Sequence, residues 1–288
     1  MRAAHLEELT HAPRPVEVED ADGVEALAVA LNPLDLAVGS GVFYGGHPPL
    51  PYVPGCEAVA RKPDGTLVYL FGESRGVTRD GFLQERVASN VDIELALPDG
   101  TEPALAACAG IAGIAAWVPV AWKAKVSAGD RVLVLGGTGS VGRIAAQAAE
   151  LLGAARVVAV GSNDLDRIPQ EFGDEGFTVC IDPVWGDPLA DALQYAQRHA
   201  RIVHVGQSAG AQSALRSADV RGKELVVMGH SNFALSKEER DRAYLELLEH
   251  LAAGRITLDY ETFPLDDVAA AWANQRGGKS VVVLPGSA

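Results

Sequence analysis

Asp130-Arg-Val-Leu-Val-Leu-Gly-Gly-Thr-Gly-Ser-Val-Gly142, continuing into Arg143-Ile-Ala-Ala-Gln-Ala-Ala-Glu-Leu-Leu152, decides the fold. The apolar run Val132–Leu135 has the length and β-branched content of a buried strand. Gly137, Gly139 and Gly142 then make G-x-G-x-x-G where the strand gives way to an Ala-rich helix. In such a motif the first glycine permits the tight turn. The second lets a pyrophosphate approach the backbone, and the third lets the helix pack close to the strand. The helix N-terminus turns free N–H groups and the positive end of its dipole towards the phosphates. A second apolar run, Arg156–Val160, completes a βαβ unit, so the stretch from Gly137 through Thr138, Gly139, Ser140 and Val141 to Gly142 reads as a dinucleotide cradle.

Working outward, strands and helices alternate. Expected strands are Val132–Leu135, Val157–Val160, Phe177–Ile181, Arg201–Val205 and Leu225–Met228. Expected helices are Val141–Leu152, a short Asp164–Phe172 and Pro188–Arg198. That alternation predicts an α/β domain with a doubly wound parallel sheet covered on both faces. Lys237–Ala253 reads as an amphipathic helix with Tyr244, Leu245, Leu247, Leu248 and Leu251 as its apolar stripe. The first hundred residues are β-like and rich in turns. Val24–Leu31, Glu57–Arg61, Thr66–Phe71 and Phe82–Ala88 are apolar runs, and residues 38–55 carry many Gly and Pro and read as a long kinked loop. The tail has a short extended segment at Ile256–Phe263, a helix at Asp266–Asn274 and a last strand at Ser280–Leu284. The βαβ domain, residues 106–253, is therefore expected to be inserted into a β-rich domain made of residues 1–105 and 254–288, with ligand in a cleft between them.

Composition narrows the function. The chain has 288 residues, 48% hydrophobic and 22% charged, with a formal net charge of −14. Such a charge opposes nonspecific attraction to nucleic acid and anionic membranes and points to a small-molecule substrate. No basic-then-apolar leader and no apolar run of spanning length are visible, and the three cysteines, Cys56, Cys108 and Cys180, are scattered. A reduced, cytoplasmic protein is expected. Tyr-x-x-x-Lys and P-loop motifs are missing from the sequence.

Asn32-Pro-Leu-Asp35, Pro48-Pro-Leu-Pro-Tyr-Val-Pro-Gly-Cys-Glu57, Gly81-Phe-Leu-Gln-Glu-Arg-Val87, Asp182-Pro-Val-Trp-Gly186, Arg201-Ile-Val-His-Val-Gly206, Phe263-Pro-Leu-Asp-Asp-Val-Ala-Ala-Ala-Trp272 and Gly278-Lys-Ser-Val-Val-Val283 occur in an order that resembles the medium-chain dehydrogenase/reductase superfamily. The resemblance covers nearly the whole chain and leans to the zinc-independent, quinone oxidoreductase-like branch. It implies a Rossmann domain inserted into a GroES-like substrate domain, and hydride transfer from nicotinamide to a quinone or an α,β-unsaturated carbonyl compound. Zinc-dependent relatives carry Gly-His-Glu where this chain has Gly55-Cys56-Glu57. Their early Cys ligand, expected near Asp35, and their four-cysteine lobe have no counterpart, so no metal site is expected. The segment from Gly55 to Gly81 is short for the family, and an Arg of the quinone reductase signature is replaced by Gly39.

The resemblance also designates site residues. Asn32 is expected near the nicotinamide, or else as a cap before Pro33. Tyr44 and Tyr52 are candidate phenols for polarising or protonating the substrate, with an aromatic wall as the alternative. Val205-Gly206-Gln207 and Gly229-His230-Ser231 follow successive strands where relatives touch the nicotinamide half. The tip of the second strand, Gly161-Ser162-Asn163, carries no acid to hold ribose hydroxyls. Ser162, Asn163 and Arg167 suit a 2′-phosphate, whereas Asp164 opposes it, so NADP(H) is favoured. A homodimer is expected through pairing at Glu224–Met228. The rival readings are a non-catalytic NADPH-binding sensor and a zinc alcohol dehydrogenase using Cys56.

Overall fold

A computed structural model describes residues 1–285. Two compact units divide the chain. One comprises Met1–Ile111 and the residues from Asp259 onward; the other is Ala112–Leu258. Residues 286–288 of the expected terminal segment lie outside the described residues.

In chain order, the first unit begins with β1 (Arg2–His5), β2 (Arg14–Glu17), β3 (Val24–Ala30), α1 (Pro33–Gly39), β4 (Ala58–Arg61), β5 (Leu67–Leu70), β6 (Arg86–Val87), β7 (Glu94–Ala96) and α2 (Pro103–Cys108). The chain continues through α3 (Ile111–Trp117) and a π-helical turn over Val118–Lys123. It then enters β8 (Arg131–Leu135), α4 (Ser140–Leu151), β9 (Arg156–Val160), α5 (Arg167–Phe172), β10 (Phe177–Asp182), α6 (Gly186–Ala192), β11 (Ala196–His204), α7 (Ser217–Gly222), β12 (Val226–Gly229) and α8 (Lys237–Ala252). It closes with β13 (Tyr260–Pro264), α9 (Val268–Asn274) and β14 (Lys279–Val283).

In the first unit the main sheet runs β13-β14-β3-β4-β5-β7, with β6 also against β3. All its pairings are antiparallel except β13 with β14. The late strand β14 therefore lies beside the early β3, with Val281 opposite Ala30. Both strands are almost continuously buried, as the apolar runs Ala26–Ala30 and Val281–Val283 require, and Lys279 and Ser280 are buried with them.

The second unit holds a parallel sheet in the order β12-β11-β10-β8-β9. Val132–Leu135 are wholly buried. In α4 the buried positions are Gly142, Ile144, Ala145, Ala148 and Ala149, a face of small side chains that lets the helix lie close to the sheet. In α8, Tyr244, Leu247, Leu248 and Leu251 face the core as expected, but Leu245 lies on the exposed side. Glu246 instead anchors this helix, accepting from the indole N–H groups of Trp117 at 2.8 Å and Trp122 at 3.0 Å.

Two sequence expectations need correction. The helix expected over Pro188–Arg198 ends at Ala192, and strand β11 already begins at Ala196, where Phe177 pairs with it. The loop expected from residue 38 is preceded by α1, started by Pro33 in the first turn and a capping box between Asn32 and Asp35.

Candidate functional site

The end of β8 has the geometry of an anion cradle. Gly136 takes the left-handed conformation, φ +63°, so the tight turn expected of Gly137 falls one residue earlier. Gly137 serves a close approach instead. Its N–H bonds the Val160 carbonyl at 2.8 Å, and a Cβ there would lie 2.7 Å from that of Ala159. At Gly142 a Cβ would sit 2.3 Å from the Gly136 oxygen. Gly139 differs: a Cβ there would have its nearest neighbour at 3.6 Å, and the position is exposed. It is the N-cap of α4 with extended backbone and no side-chain cap. The first N–H groups of a twelve-residue helix thus face an open space next to a residue without a side chain. A dinucleotide pyrophosphate fits this cradle.

At the tip of β9, Ser162 and Asn163 are exposed. The Gly161 N–H donates to Asp164 Oδ1 at 2.6 Å, so Asp164 braces the turn with one carboxylate oxygen. Arg167 does not reach back towards the tip as expected. Its guanidinium donates to Asp164 and Glu171, each at 3.3 Å, and Glu171 also pairs with Arg156. Its charge is already shared between two carboxylates.

Beyond β11, a Cβ at Gly206 would meet the Pro183 oxygen at 2.8 Å, which is why only glycine suits that turn. Val205 is half-buried and Gln207 exposed. After β12, Lys123 donates to the Gly229 carbonyl at 2.5 Å. Ser231 is exposed. His230 points inward: its Nε2 meets Asn232 Oδ1 at 2.8 Å, and burial pushes its pKa down to about 4. It is a neutral, buried ring rather than one presented to a ligand. Sequence reasoning missed Asp182 and His204, which end adjacent strands and pair in register.

The first unit contains a buried polar cluster around Asn32. Its backbone N–H donates to Asp35 at 2.8 Å, and its amide donates to Glu57 Oε1 at 2.7 Å and the Ala30 carbonyl at 3.1 Å. Its Oδ1 accepts from the Lys279 ammonium at 2.8 Å. With all these groups used inside the unit and no exposed surface, Asn32 is a connector rather than a ligand contact. Glu57 Oε2 accepts from the Tyr69 hydroxyl at 2.8 Å and the Ile111 N–H at 2.6 Å. Burial raises the pKa of both Glu57 and Asp35 despite these donors.

Cys56 lies in the same cluster. Its N–H donates to Asp35 at 2.9 Å, and burial with Asp35 beside it pushes the thiol well up. Among the described residues, no group of three or more His, Cys, Asp or Glu side chains could hold a metal ion. The two tyrosines diverge. Tyr52 is 1% exposed, its hydroxyl has no hydrogen-bond partner among the described residues, and burial raises its pKa. Tyr44 is 80% exposed, with its ring 4.4 Å from that of Phe43.

Comparison with known proteins agrees with this architecture. A zinc-binding dehydrogenase family model matches residues 152–281. Quinone oxidoreductase of Homo sapiens is 23% identical over 279 residues, covering 87% of this chain and 84% of that protein. A phenolphthiocerol/phthiocerol polyketide synthase polypeptide of Mycobacterium tuberculosis is 25% identical over 91% of this chain, which spans only 13% of that polypeptide's length. Among solved structures, the quinone oxidoreductase of Thermus thermophilus, also determined in complex with NADPH, superposes with a TM-score of 0.82. It is 23% identical, with 99% of this chain and 100% of that one covered. No helix among the described residues is long and apolar enough to cross a membrane.

Proposed function

We propose that the chain is a member of the medium-chain dehydrogenase/reductase superfamily, whose fold and relatives it resembles, and that it is a zinc-independent, NADPH-dependent reductase of quinones or α,β-unsaturated carbonyl compounds. The observation that carries the reading is the open cradle at Gly139, where the start of α4 faces space that a single methyl group would occupy. When bound, nicotinamide supplies the hydride. The chain's own part is to hold the diphosphate at the N–H groups of residues 140–142 and to deliver a proton. Of the three residues designated for assistance, Asn32 and Tyr52 are buried, so Tyr44 Oη is the donor we assign. The ligand sets of zinc relatives are not reproduced around Cys56, a buried thiol without metal-binding companions among the described residues.

NADP(H) is preferred over NAD(H) in this reading. Asp164 is occupied with Gly161 N–H and Arg167, leaving Ser162 and Asn163 to meet the ribose end. Calorimetric titration is expected to give an affinity for NADPH at least about tenfold above that for NADH, or roughly 1.4 kcal/mol. Equal affinities, or a preference for NADH, would reverse the assignment. Turnover is tested by NADPH oxidation against a panel of quinones and enones, with Tyr44→Phe lowering kcat by about a hundredfold if Tyr44 is the donor. The inward burial of Asn32 and Tyr52 favours one rival, a sensor that binds NADPH without using it. Tight binding with no oxidation of NADPH by any substrate selects the sensor.

A homodimer through β12 belongs to the same proposal. Among the described residues this strand pairs only with β11, and Val226 and Val227 are 45% and 41% exposed on it. A second copy would cover this edge isologously. Light scattering is expected to show a dimer for the wild type and a monomer for a Val226→Lys/Val227→Lys double variant. A monomeric wild type at micromolar concentration rules the interface out.

A further inference from the structure

At the carboxyl edge of the parallel sheet, β10 ends in Asp182 and β11 in His204, opposite one another in register. Asp182 has no exposed surface. Its Oδ1 accepts from the backbone N–H groups of Val184 at 3.0 Å and Trp185 at 2.8 Å. Its Oδ2 lies 3.4 Å from His204 Nδ1, an ion-pair distance, and neither of these two buried atoms makes a hydrogen bond among the described residues. The imidazole rests against the Trp185 ring, 4.1 Å between centroids. Trp185 itself is held at φ +60°, a backbone conformation that non-glycine residues rarely adopt and that persists only where the surroundings impose it. One carboxylate therefore fixes a strained turn and aims an imidazole.

The two loops beyond these strands are joined. Val205 N–H donates to the Asp182 carbonyl and Ala209 N–H to that of Val184, each at 2.8 Å. The His204 side chain retains 30% of its exposure, and since Nδ1 is the buried nitrogen, Nε2 is the reachable one. A carboxylate at Nδ1 selects the tautomer with the proton there, which leaves Nε2 a lone pair and makes it an acceptor. Ligands of open parallel sheets bind at this edge, where strand order reverses. Here that point lies between β8 and β10. A diphosphate at the start of α4 sends one half of the dinucleotide towards β9 and the other towards β10 and β11. His204 stands two strand spacings, about 10 Å, from β8 on that second side.

We propose that Asp182 and His204 form an accepting position for the nicotinamide half of a bound dinucleotide. His204 Nε2 takes an N–H of the carboxamide or an O–H of the adjoining ribose, and Asp182 is the positioning residue. The inference rests on the dinucleotide reading above. Calorimetric binding of NADPH and of adenosine 2′,5′-bisphosphate, which lacks the nicotinamide half, tests it. His204→Phe is expected to weaken NADPH by about tenfold or more while leaving the bisphosphate within about twofold. Asp182→Asn, which keeps an oxygen for the two loop N–H groups but places an N–H₂ against Nδ1, should show the same split. His204→Gln, which retains an acceptor, should restore part of the affinity.

The 3-acetylpyridine analogue of NADPH separates the two donors. A His204→Phe penalty that disappears with it assigns the carboxamide, and one that persists assigns the ribose. Equal weakening of NADPH and bisphosphate in His204→Phe, or weakening of neither, overturns the position. A wild type that binds neither ligand overturns the dinucleotide reading itself, a distinct outcome.

Discussion

Gly142→Ala is expected to destabilise the nucleotide-binding unit by about 3 kcal/mol or more, whereas Gly139→Ala keeps the fold and loses the dinucleotide. The two positions belong to one motif and differ in what surrounds them. A methyl group on Gly142 would meet the Gly136 carbonyl oxygen at 2.3 Å and the Gly137 Cα at 2.8 Å, both backbone atoms that cannot turn aside. The gain in helix propensity from Gly to Ala, about 1 kcal/mol, does not offset an overlap of that size. For a unit of this size the midpoint of thermal unfolding should fall by about 6–12 °C. On Gly139 the same methyl group would find its nearest atom at 3.6 Å, so stability should stay within about 0.5 kcal/mol. The methyl group would instead occupy the approach to the helix N-terminus, and NADPH affinity should drop by about a hundredfold, roughly 2.7 kcal/mol. Calorimetric unfolding and NADPH titration of both variants decide the matter. A Gly142→Ala protein as stable as the wild type would contradict the packing role. A Gly139→Ala protein with undiminished NADPH affinity would remove the cradle.

This contrast shows which parts of the molecule are legible from residue order. The βαβ unit is, because Val132–Leu135 and Val158 with Val160 are buried under helices and must be apolar throughout. The end of α6 is not. Gln197, Arg198 and His199 look like an exposed helical turn, yet β11 pairs with β10 at Ala196 and again from Arg201, and the residues between them form a bulge with His199 at φ +64°. The N-terminal signal of α1 is present in Asn32-Pro-Leu-Asp35, but the Gly- and Pro-rich residues just beyond obscure so short a helix. Site chemistry is hardest to read where partners are remote. Lys279 reaches Asn32 across 247 residues, and Asp182 meets His204 only through parallel register. Asn32 and Tyr52 are legible as special residues, but nothing in the sequence around them shows that remote neighbours turn both inward.

The buried cluster makes the second large expectation. Lys279→Met should destabilise the first unit by about 3–5 kcal/mol, because it removes a cation that faces two buried carboxyl groups. Lys279 is 3% exposed and donates to the Leu31 carbonyl and Asn32 Oδ1, each at 2.8 Å. Its charge acts on both Glu57 and Asp35, opposing the burial that raises their pKa. The sign of the pH dependence follows from those directions. A carboxyl group whose folded pKa is raised above its unfolded value holds its proton more firmly in the folded state. Its contribution to stability is present at low pH and is lost as pH rises through the folded pKa. Without Lys279 both folded values move further up, so the penalty should be largest at neutral and alkaline pH and should shrink on acidification.

Glu57→Gln supplies the complementary arm. The change removes a buried charge, but Glu57 accepts from three donors, the Asn32 amide, the Tyr69 hydroxyl and the Ile111 N–H. A glutamine N–H₂ must face one of them. Gly110 is equally bound to this carboxylate, since a Cβ there would lie 1.8 Å from Glu57 Oε2, leaving no room for the neighbour to relax. The single substitution should therefore cost about 1–3 kcal/mol. The Lys279→Met/Glu57→Gln double variant should lose less than the sum of the two singles by at least about 1 kcal/mol. Unfolding midpoints at pH 5 and pH 8 test both statements. A Lys279→Met penalty that is the same at the two pH values, or losses that simply add, would mean that Lys279 acts through its two hydrogen bonds and not through its charge.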